Sequence, residues 1–191
     1  MRAAELTLTG FSLLNSLAAG QSGASPVGVA TVGGVEIAYR FTPVPDGAQR
    51  FYASAAYRNS DVVRAPDLPA YSLRTPGLVP QIAGISTGSG TGDPIGDFAF
   101  NSQWTGYQPG MAIAAKRDIF ATRNGDIYTD ELFTADPGTT QPNLAFTSNF
   151  TFTGGTRSYQ SVSGSATSVA KQVGDGVRSA FVACGWINGI R

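Results

Sequence analysis

Five carboxylates stand close together in the second half of the chain and are the first candidates for chemistry: Asp118, Asp126, Asp130, Glu131 and Asp136. Clustered oxygen ligands of this kind can bind Ca²⁺. However, no calcium-loop motif of alternating acidic residues accompanies them, and the Asn-Gly pair before Asp126 is typical of a turn. Asp130 and Glu131 would point to opposite faces of a strand, which argues against an acid–base pair. We interpret the five as solvated loop charges and predict no metal site.

The residues that usually carry nucleophilic catalysis are missing. The chain contains no His, which excludes Ser-His-Asp and Cys-His catalysis and the ordinary zinc sites. Cys184 is the single Cys, so an internal disulfide is excluded as well. We expect it to be a buried structural thiol on the same strand face as Trp186, because no His or Lys is near in sequence to activate it. We therefore predict no catalytic residue and no cofactor, and leave open whether the protein is an enzyme.

Aromatic residues at alternate positions are the candidates for a ligand site. Two stretches carry them on one face of a predicted strand: Phe98, Phe100 and Trp104, and then Phe146, Phe150 and Phe152. A two-residue period places such residues on the same side of a sheet. We predict that these side chains point into the lumen of a small barrel. There they would either bind an apolar small molecule or form an ordinary packed core.

The charge balance limits the partners. The 13 basic and 13 acidic residues cancel, and nucleic-acid binding depends on contacts to phosphates, so we expect no nucleic-acid partner. Charged residues make up 14% of the chain, compared with about 25% in an average soluble domain. The resulting hydroxyl-rich surface favours an extracellular location or the surface of an assembled particle.

Residues 1–28 contain a faint secretory pattern, but polar residues interrupt its apolar run. We interpret this segment as an uncleaved structural arm. A signal sequence, a short helix near residues 10–19 and a strand over residues 4–9 are the alternatives. The run is too polar to span a membrane.

Alternating apolar residues predict a series of short strands. Residues 35–42 and 51–58 are expected to pair as a hairpin around the Pro-Asp-Gly sequence at 45–47. The Gly-rich run at 86–92 is interpreted as a linker or a broad turn, because a phosphate cradle would need a helix after it and Asp93-Pro94 follows instead. Residues 165–173 and 177–187 fit strands better than one amphipathic helix, since Gly174 and Gly176 would destabilise a helix.

Short strands separated by turn signals predict an all-β fold, namely a small antiparallel β-barrel with an N-terminal arm and hairpin. We divide the chain into the arm plus hairpin (residues 1–58), a Pro/Gly-rich linker leading into the barrel (59–97) and the main barrel body (98–191). The segment 117–166, in which strands flank clear turn sequences, is the part around which the others are organised.

The turn motifs occur in an order that resembles one bacterial family. The motifs are GTG at 90–92, IGDF at 95–98, ATRNGD at 121–126, FTGGT at 152–156 and SGSAT at 163–167. They resemble the pattern of small, mostly secreted barrels that are similar in fold to allene oxide cyclase and dirigent proteins. The resemblance covers about residues 83–187. It departs from the family pattern after Thr156, where a glycine is missing, and at 159–162, where larger residues replace small ones.

The resemblance implies a closed barrel, and it suggests one class of reaction. The resemblance by itself implies no activity, but relatives of this fold suggest that an enzyme of this kind would be a cofactor-free cyclase or isomerase that shapes a flexible substrate in a dry pocket. A barrel that binds an apolar small molecule without reacting it is a further alternative. We rank a third function first, a non-catalytic structural protein of an extracellular surface, filament or virion that self-associates through residues 1–58. It accounts for the low charge, the arm and the lack of an assignable active site.

Overall fold

The strands of the molecule follow the alternation of apolar and polar residues. A computed structural model describes residues 27–60, 79–80, 85–107, 113–140, 143–174 and 177–191. Its strands are β1 (Val27–Val32), β2 (Val35–Arg40), β3 (Gln49–Ser60), β4 (Val79–Pro80), β5 (Ile85–Asp93), β6 (Gly96–Tyr107), β7 (Ile113–Thr122), β8 (Gly125–Ala135), β9 (Ala145–Gly155), β10 (Ser163–Val173) and β11 (Arg178–Asn188). A short 3-10 helix, Arg157–Tyr159, precedes β10.

Eight of these strands close into an antiparallel barrel. Their order is β6-β5-β3-β11-β10-β9-β8-β7, and the pairing of β6 with β7 closes the ring. β4 pairs with the end of β6, and β1 and β2 form a separate two-stranded sheet. The predicted all-β fold and small antiparallel barrel are confirmed. The prediction of strands rather than a helix near the end of the chain is confirmed as well.

The predicted hairpin between residues 35–42 and 51–58 is wrong, although both segments contain strands. β2 pairs with β1, and β3 lies between β5 and β11 in the barrel wall. Gly33 and Gly34 have φ angles of 57° and 82°, which glycine adopts without strain, and they join β1 directly to β2 in a two-residue turn. Because this two-residue turn is shorter than the loop between β2 and β3, β2 pairs with β1 and not with β3. Strand β3 pairs instead with β5 and β11 in the barrel wall.

The Gly-rich run at residues 86–92 belongs to strand β5 and is not a linker. A Cβ atom on Gly88 would lie 2.6 Å from Cα of Tyr57, and one on Gly90 would lie 2.6 Å from Cζ of Phe98. Both distances are shorter than real Cβ contacts, so only glycine permits the approach of β3 and leaves room for the Phe98 ring. Glycine here supplies space inside a packed barrel, which is one of its recognised uses in strands.

Aromatic side chains fill one half of the lumen, which we call the apolar end. Phe120 lies at its centre, and the ring centroids of Phe98, Phe100 and Phe150 are 5.0, 5.5 and 5.9 Å from its own. The rings meet edge to face, an arrangement that the aromatic quadrupole favours. Buried residues beyond these rings close this end of the barrel: Ile95, Tyr159, Val162 and Ile187.

The hairpin of β1 and β2 covers part of the outer barrel wall. Val32 and Ile37 pack on Ala180, Val182 and Cys184 of β11, which explains why β11 is buried on both faces. Cys184 is buried, as predicted. Burial raises the pKa of its thiol to about 12, so the thiol is neutral under physiological conditions and unsuited to nucleophilic attack.

Some predictions concern residues outside the described ranges, namely the alternatives for the N-terminal arm before residue 27 and most of the Pro-rich segment. The division at residues 58 and 97 stays a prediction, although β3 and β5 are both strands of the barrel wall. Among the described residues, no helix is long and apolar enough to cross a membrane.

Candidate functional site

The aromatic residues predicted to form a ligand site share the inward face of the barrel. Four of them are buried in the packed apolar end: Phe98, Phe100, Phe150 and Phe152. Trp104 and Phe146 lie at the opposite end, where their ring centroids are 5.0 and 5.5 Å from that of Phe133, and both are partly exposed. The structure therefore places four of the six in a filled core and two at a rim. Ligand binding by them stays a prediction.

The opposite half of the lumen, which we call the polar end, carries two short rows of side chains across β6, β7 and β8. The inner row consists of direct cross-strand partners: Ser102, Asp118 and Thr129. The outer row lies one step nearer the rim and consists of Trp104, Lys116 and Glu131. These residues face inward because they continue the two-residue alternation of the core residues on the same strands.

Lys116 stands in the middle of the outer row. Its Nζ lies 3.8 Å from Oε2 of Glu131, and 4.5 and 5.3 Å from the ring centroids of Phe133 and Trp104. An ammonium group is attracted to the faces of aromatic rings. The side chains of Lys116 and Glu131 are only 9% and 8% exposed, so this ion pair is largely withdrawn from water.

Asp118, in the inner row, is completely buried. Oγ1 of Thr129 donates a hydrogen bond to its Oδ2 at 3.0 Å, whereas its Oδ1 has no hydrogen-bond partner among the described residues. The same holds for the hydroxyl of the neighbouring Ser102. The Ser102 hydroxyl is nevertheless close enough to Asp118 to lower the pKa of its carboxyl group, so a small rotation of either side chain would join the two.

Two serines extend this polar surface onto β9 and β10. Ser148 and Ser168 are cross-strand neighbours, both are buried, and neither hydroxyl has a partner in the described part of the chain. A cavity of about 10 Å³ is lined on one side by Ser168, Tyr57, Lys116 and Glu131, and on the other by apolar residues of the core: Phe100, Phe150, Ala170 and Phe181. That volume suits about one water molecule. The polar end therefore presents donors and acceptors around a space for one water or one small polar group of a ligand.

Burial controls the protonation of this cluster. It raises the pKa of Asp118 well above its usual range, and the charge of Glu131 adds to the effect, whereas Lys116 and two neighbouring hydroxyls oppose it. Burial lowers the pKa of Lys116, but nearby acidic groups, Glu131 foremost, more than offset this, and the pKa is raised overall. The raised pKa favours the protonated form of Asp118, beside the ion pair of Lys116 and Glu131.

Replacement of Asp118 by asparagine is expected to stabilise the protein more at alkaline than at acidic pH. The pKa of Asp118 is higher in the folded than in the unfolded protein. Its contribution to stability is therefore fully present below the unfolded pKa of about 4 and is lost as the pH rises towards the folded value. Asp118→Asn lacks this titration, so its urea midpoint relative to the wild type should be higher at about pH 8 than at about pH 4. Leu132→Ala, which removes no titrating group, is the control. An equal difference at both pH values would contradict a raised pKa.

The interpretation of the five carboxylates as solvated charges is wrong for Asp118 and Glu131, which are buried. The other members of the group are partly exposed: Asp126, Asp130 and Asp136. The site could have been predicted from the turn at residues 123–124, because this turn fixes the register of β7 and β8. In that register Asp118 is opposite Thr129 and Lys116 is opposite Glu131. Two acidic residues and one basic residue therefore lie on the inner face of the same hairpin.

The polar end therefore offers two carboxyl groups and one ammonium group, a set suited to hydrogen bonding and proton transfer. Within the described residues, no group of three His, Cys, Asp or Glu side chains is arranged to hold a metal ion. Comparison of the chain with known protein families, with curated proteins and with solved structures found no match.

Proposed function

We propose that the polar end of the lumen binds a small molecule and promotes its isomerisation or cyclisation by proton transfer, without a cofactor. One observation carries the proposal. Lys116 and Glu131 are buried and line a cavity in a lumen that is otherwise packed largely with aromatic rings, and the buried Asp118 lies one inward position further along the same hairpin. Buried ionisable groups with perturbed pKa values beside a cavity are typical of active sites.

The cost of the buried charges supports a chemical role. Withdrawing two charges from water costs several kcal/mol per ion, and replacing a buried ion pair by apolar side chains is often neutral or stabilising by about 1–4 kcal/mol. Apolar residues already occupy inward positions on the same strands, as Phe120 and Ile127 show. A barrel that served only as a building block would therefore gain little from these charges.

Asp118 and Glu131 can act as an acid and a base. With a carbonyl substrate, Asp118 donates its proton to the carbonyl oxygen while Glu131 accepts a proton from the adjacent carbon, which gives an enol. Glu131 then returns its proton to a different carbon and the enol proton returns to Asp118, so the isomer leaves and both groups are restored. Lys116 holds the carboxylate of Glu131 in place through their ion pair.

The size of the cavity limits the substrate. About 10 Å³ admits one small polar group such as a carbonyl oxygen, so the rest of the substrate must lie at the rim. Trp104 and Phe146 are partly exposed there and provide an apolar surface. The substrate class is therefore a small apolar carbonyl compound.

A β,γ-unsaturated cyclic ketone tests the proposal directly, because its isomerisation to the conjugated ketone increases the ultraviolet absorbance. We expect the ketone to quench the fluorescence of Trp104 saturably in a Trp186→Phe background, and the protein to catalyse its conjugation. Asp118→Asn and Glu131→Gln should each lower the rate by about 10²- to 10⁴-fold, with little change in binding.

Leu132→Ala is the matched control, because Leu132 is exposed on the outer face of β8. Its rate should equal that of the wild type. Binding without conjugation would support a barrel that only binds its ligand. Absence of both quenching and conjugation would contradict the proposal.

Strand β1 favours a second function, assembly through the N-terminal hairpin. Val27 and Val29 are 59% and 64% exposed, and among the described residues β1 pairs only with β2. Charged residues and Pro commonly prevent the pairing of edge strands, and β1 contains neither. A second copy of the chain could add its own β1 at this edge. Such contacts would support the expected role in an extracellular surface, filament or virion, with self-association through residues 1–58.

Light scattering on the wild type and on Val29→Lys tests this second function. We expect an oligomer that the lysine converts to a monomer, because a charge on the edge strand prevents pairing. Deletion of residues 1–58 is unsuitable, since it would remove most of β3 from the barrel. A monomeric wild type would contradict assembly through β1.

A further inference from the structure

Two buried serine hydroxyls on the wall formed by β9 and β10 are neither the acid nor the base of the proposed reaction. Ser148 and Ser168 are direct cross-strand partners, and each is 1% exposed. Neither hydroxyl has a hydrogen-bond partner among the residues that the structure describes, so the two are not bonded to each other either. A buried hydroxyl without a partner lowers stability, and such groups in native proteins call for an explanation.

The positions next to Ser168 show that packing alone does not require its hydroxyl. Ala166 and Ala170 occupy the inward positions on either side of it in β10, and both are buried. Alanine at position 168 would continue this row of small side chains on the same face and would leave no polar atom unpaired. The hydroxyl of Ser168 is therefore better explained by a group that it binds.

Ser168 faces the small cavity of the polar end, which it lines together with Lys116 and Glu131. Phe146, which is partly exposed at the rim, is the cross-strand partner of Ala170 and lies one inward position from Ser148. A ligand whose ring contacts the rim can therefore direct one oxygen atom into the cavity, towards Ser168. A cavity of this size suits one water in the free protein, and the oxygen of a ligand that replaces this water can make the same hydrogen bonds.

We propose that the hydroxyl of Ser168 donates a hydrogen bond to the carbonyl oxygen of the bound substrate, and that Ser148 is a positioning residue behind it. Ser148 donates to Oγ of Ser168 when the proton of Ser168 is directed at the ligand, and hydrogen bonds linked in this way strengthen one another. A carbonyl oxygen can accept two hydrogen bonds, so a position remains for the proton of Asp118. The inference rests on the proposed function for the class of ligand, but it requires binding only and no reaction.

Cyclohexanone is the probe, because this saturated ketone cannot become conjugated and therefore measures binding alone. We expect it to quench the fluorescence of Trp104 saturably in the Trp186→Phe background. Ser168→Ala should weaken its binding about 3- to 10-fold, as expected for the loss of one hydrogen bond, and Ser148→Ala should weaken it less. Methylenecyclohexane carries a CH2 group in place of the oxygen. Its affinity, measured by competition with cyclohexanone, should be the same with serine or alanine at position 168.

The infrared band of the bound carbonyl group tests the hydrogen bond itself. A hydrogen bond from Ser168 lowers the C=O stretching frequency of bound cyclohexanone. Ser168→Ala should return this frequency part of the way to its value in an apolar solvent. A serine with a purely structural role would not change this band.

Ser165→Ala is the matched control, because Ser165 is exposed on the outer face of the same strand. It should bind cyclohexanone like the wild type. In urea unfolding without ligand, Ser168→Ala should be at least as stable as the wild type, since it removes an unpaired buried hydroxyl.

The outcomes separate this inference from the proposed catalysis. Unchanged affinity for cyclohexanone and an unchanged carbonyl band in Ser168→Ala would overturn the inference, even if the β,γ-unsaturated ketone were still conjugated. Binding that depends on Ser168 without any conjugation would support the inference and contradict the catalysis. A wild type that does not bind cyclohexanone, or a Ser168→Ala variant that is less stable than the wild type, would also overturn the inference.

Discussion

Replacement of Phe120 by alanine is expected to lower the free energy of unfolding by about 3–5 kcal/mol. The Phe120 ring is completely buried and lies among five other phenylalanine rings in the apolar end: Phe51, Phe98, Phe100, Phe150 and Phe181. These rings are anchored on four other barrel strands, β3, β6, β9 and β11, so they cannot easily move into the space that the substitution leaves. The measurement is urea unfolding followed by far-ultraviolet circular dichroism.

Leu132→Ala provides the control for Phe120→Ala. Leu132 lies on the adjacent strand β8 but is 43% exposed, so its truncation should change stability by less than about 0.5 kcal/mol. A loss below about 1 kcal/mol for Phe120→Ala would show that the aromatic cluster is not the main source of cohesion in this barrel.

Replacement of Lys116 alone by methionine is expected to cost about 3–5 kcal/mol, because it leaves the carboxylate of Glu131 buried without its partner. The double variant Lys116→Met with Glu131→Leu removes both charges. It should unfold within about 1 kcal/mol of the wild type or be more stable. Urea unfolding of the wild type, both single variants and the double variant gives the coupling energy of the pair.

The ion pair of Arg117 and Asp130 is the matched control, because it joins the same two strands on the outer face. Its Nε–Oδ1 distance is 3.5 Å, and its side chains are 21% and 32% exposed. Substitution of this pair by methionine and leucine should show a coupling below about 1 kcal/mol. If the double variant at Lys116 and Glu131 lost as much stability as the single one, the buried charges would serve the fold. The main argument for a proton-transfer site would then fail.

The strands could be predicted from the sequence because they follow from local signals, and the closed barrel was predicted from the number of strands together with the order of the turn motifs. The alternation of Phe98 and Phe100, and of Phe150 and Phe152, indicates an inward face, and the Asn-Gly turn fixes the hairpin of β7 and β8. In a strand with a two-residue period, one buried residue is enough to determine which side chains face the core.

The polar end was missed because each carboxylate was considered along its own strand. Asp118 and Glu131 are far enough apart in sequence to look unrelated, and only the register of the hairpin brings them to neighbouring inward positions. The position of β3 in the barrel wall, between β5 and β11, was not predicted for a different reason. Its partners are β5 and β11, and pairings between distant segments leave no signal in any short stretch of sequence.

The position of β3 also determines when the barrel can be completed during synthesis. β3 pairs with β11, the last strand of the described chain, so a nascent chain that lacks β11 can form only an open, curved sheet with two unpaired margins. Non-local pairing of this type slows folding and exposes strand edges while the chain is still emerging from the ribosome. Arrival of β11 supplies the neighbour for both β3 and β10 at once. Closure of the barrel is therefore expected only after β11 has been synthesised, and until then the margins of β3 and β10 are open to pairing with other chains.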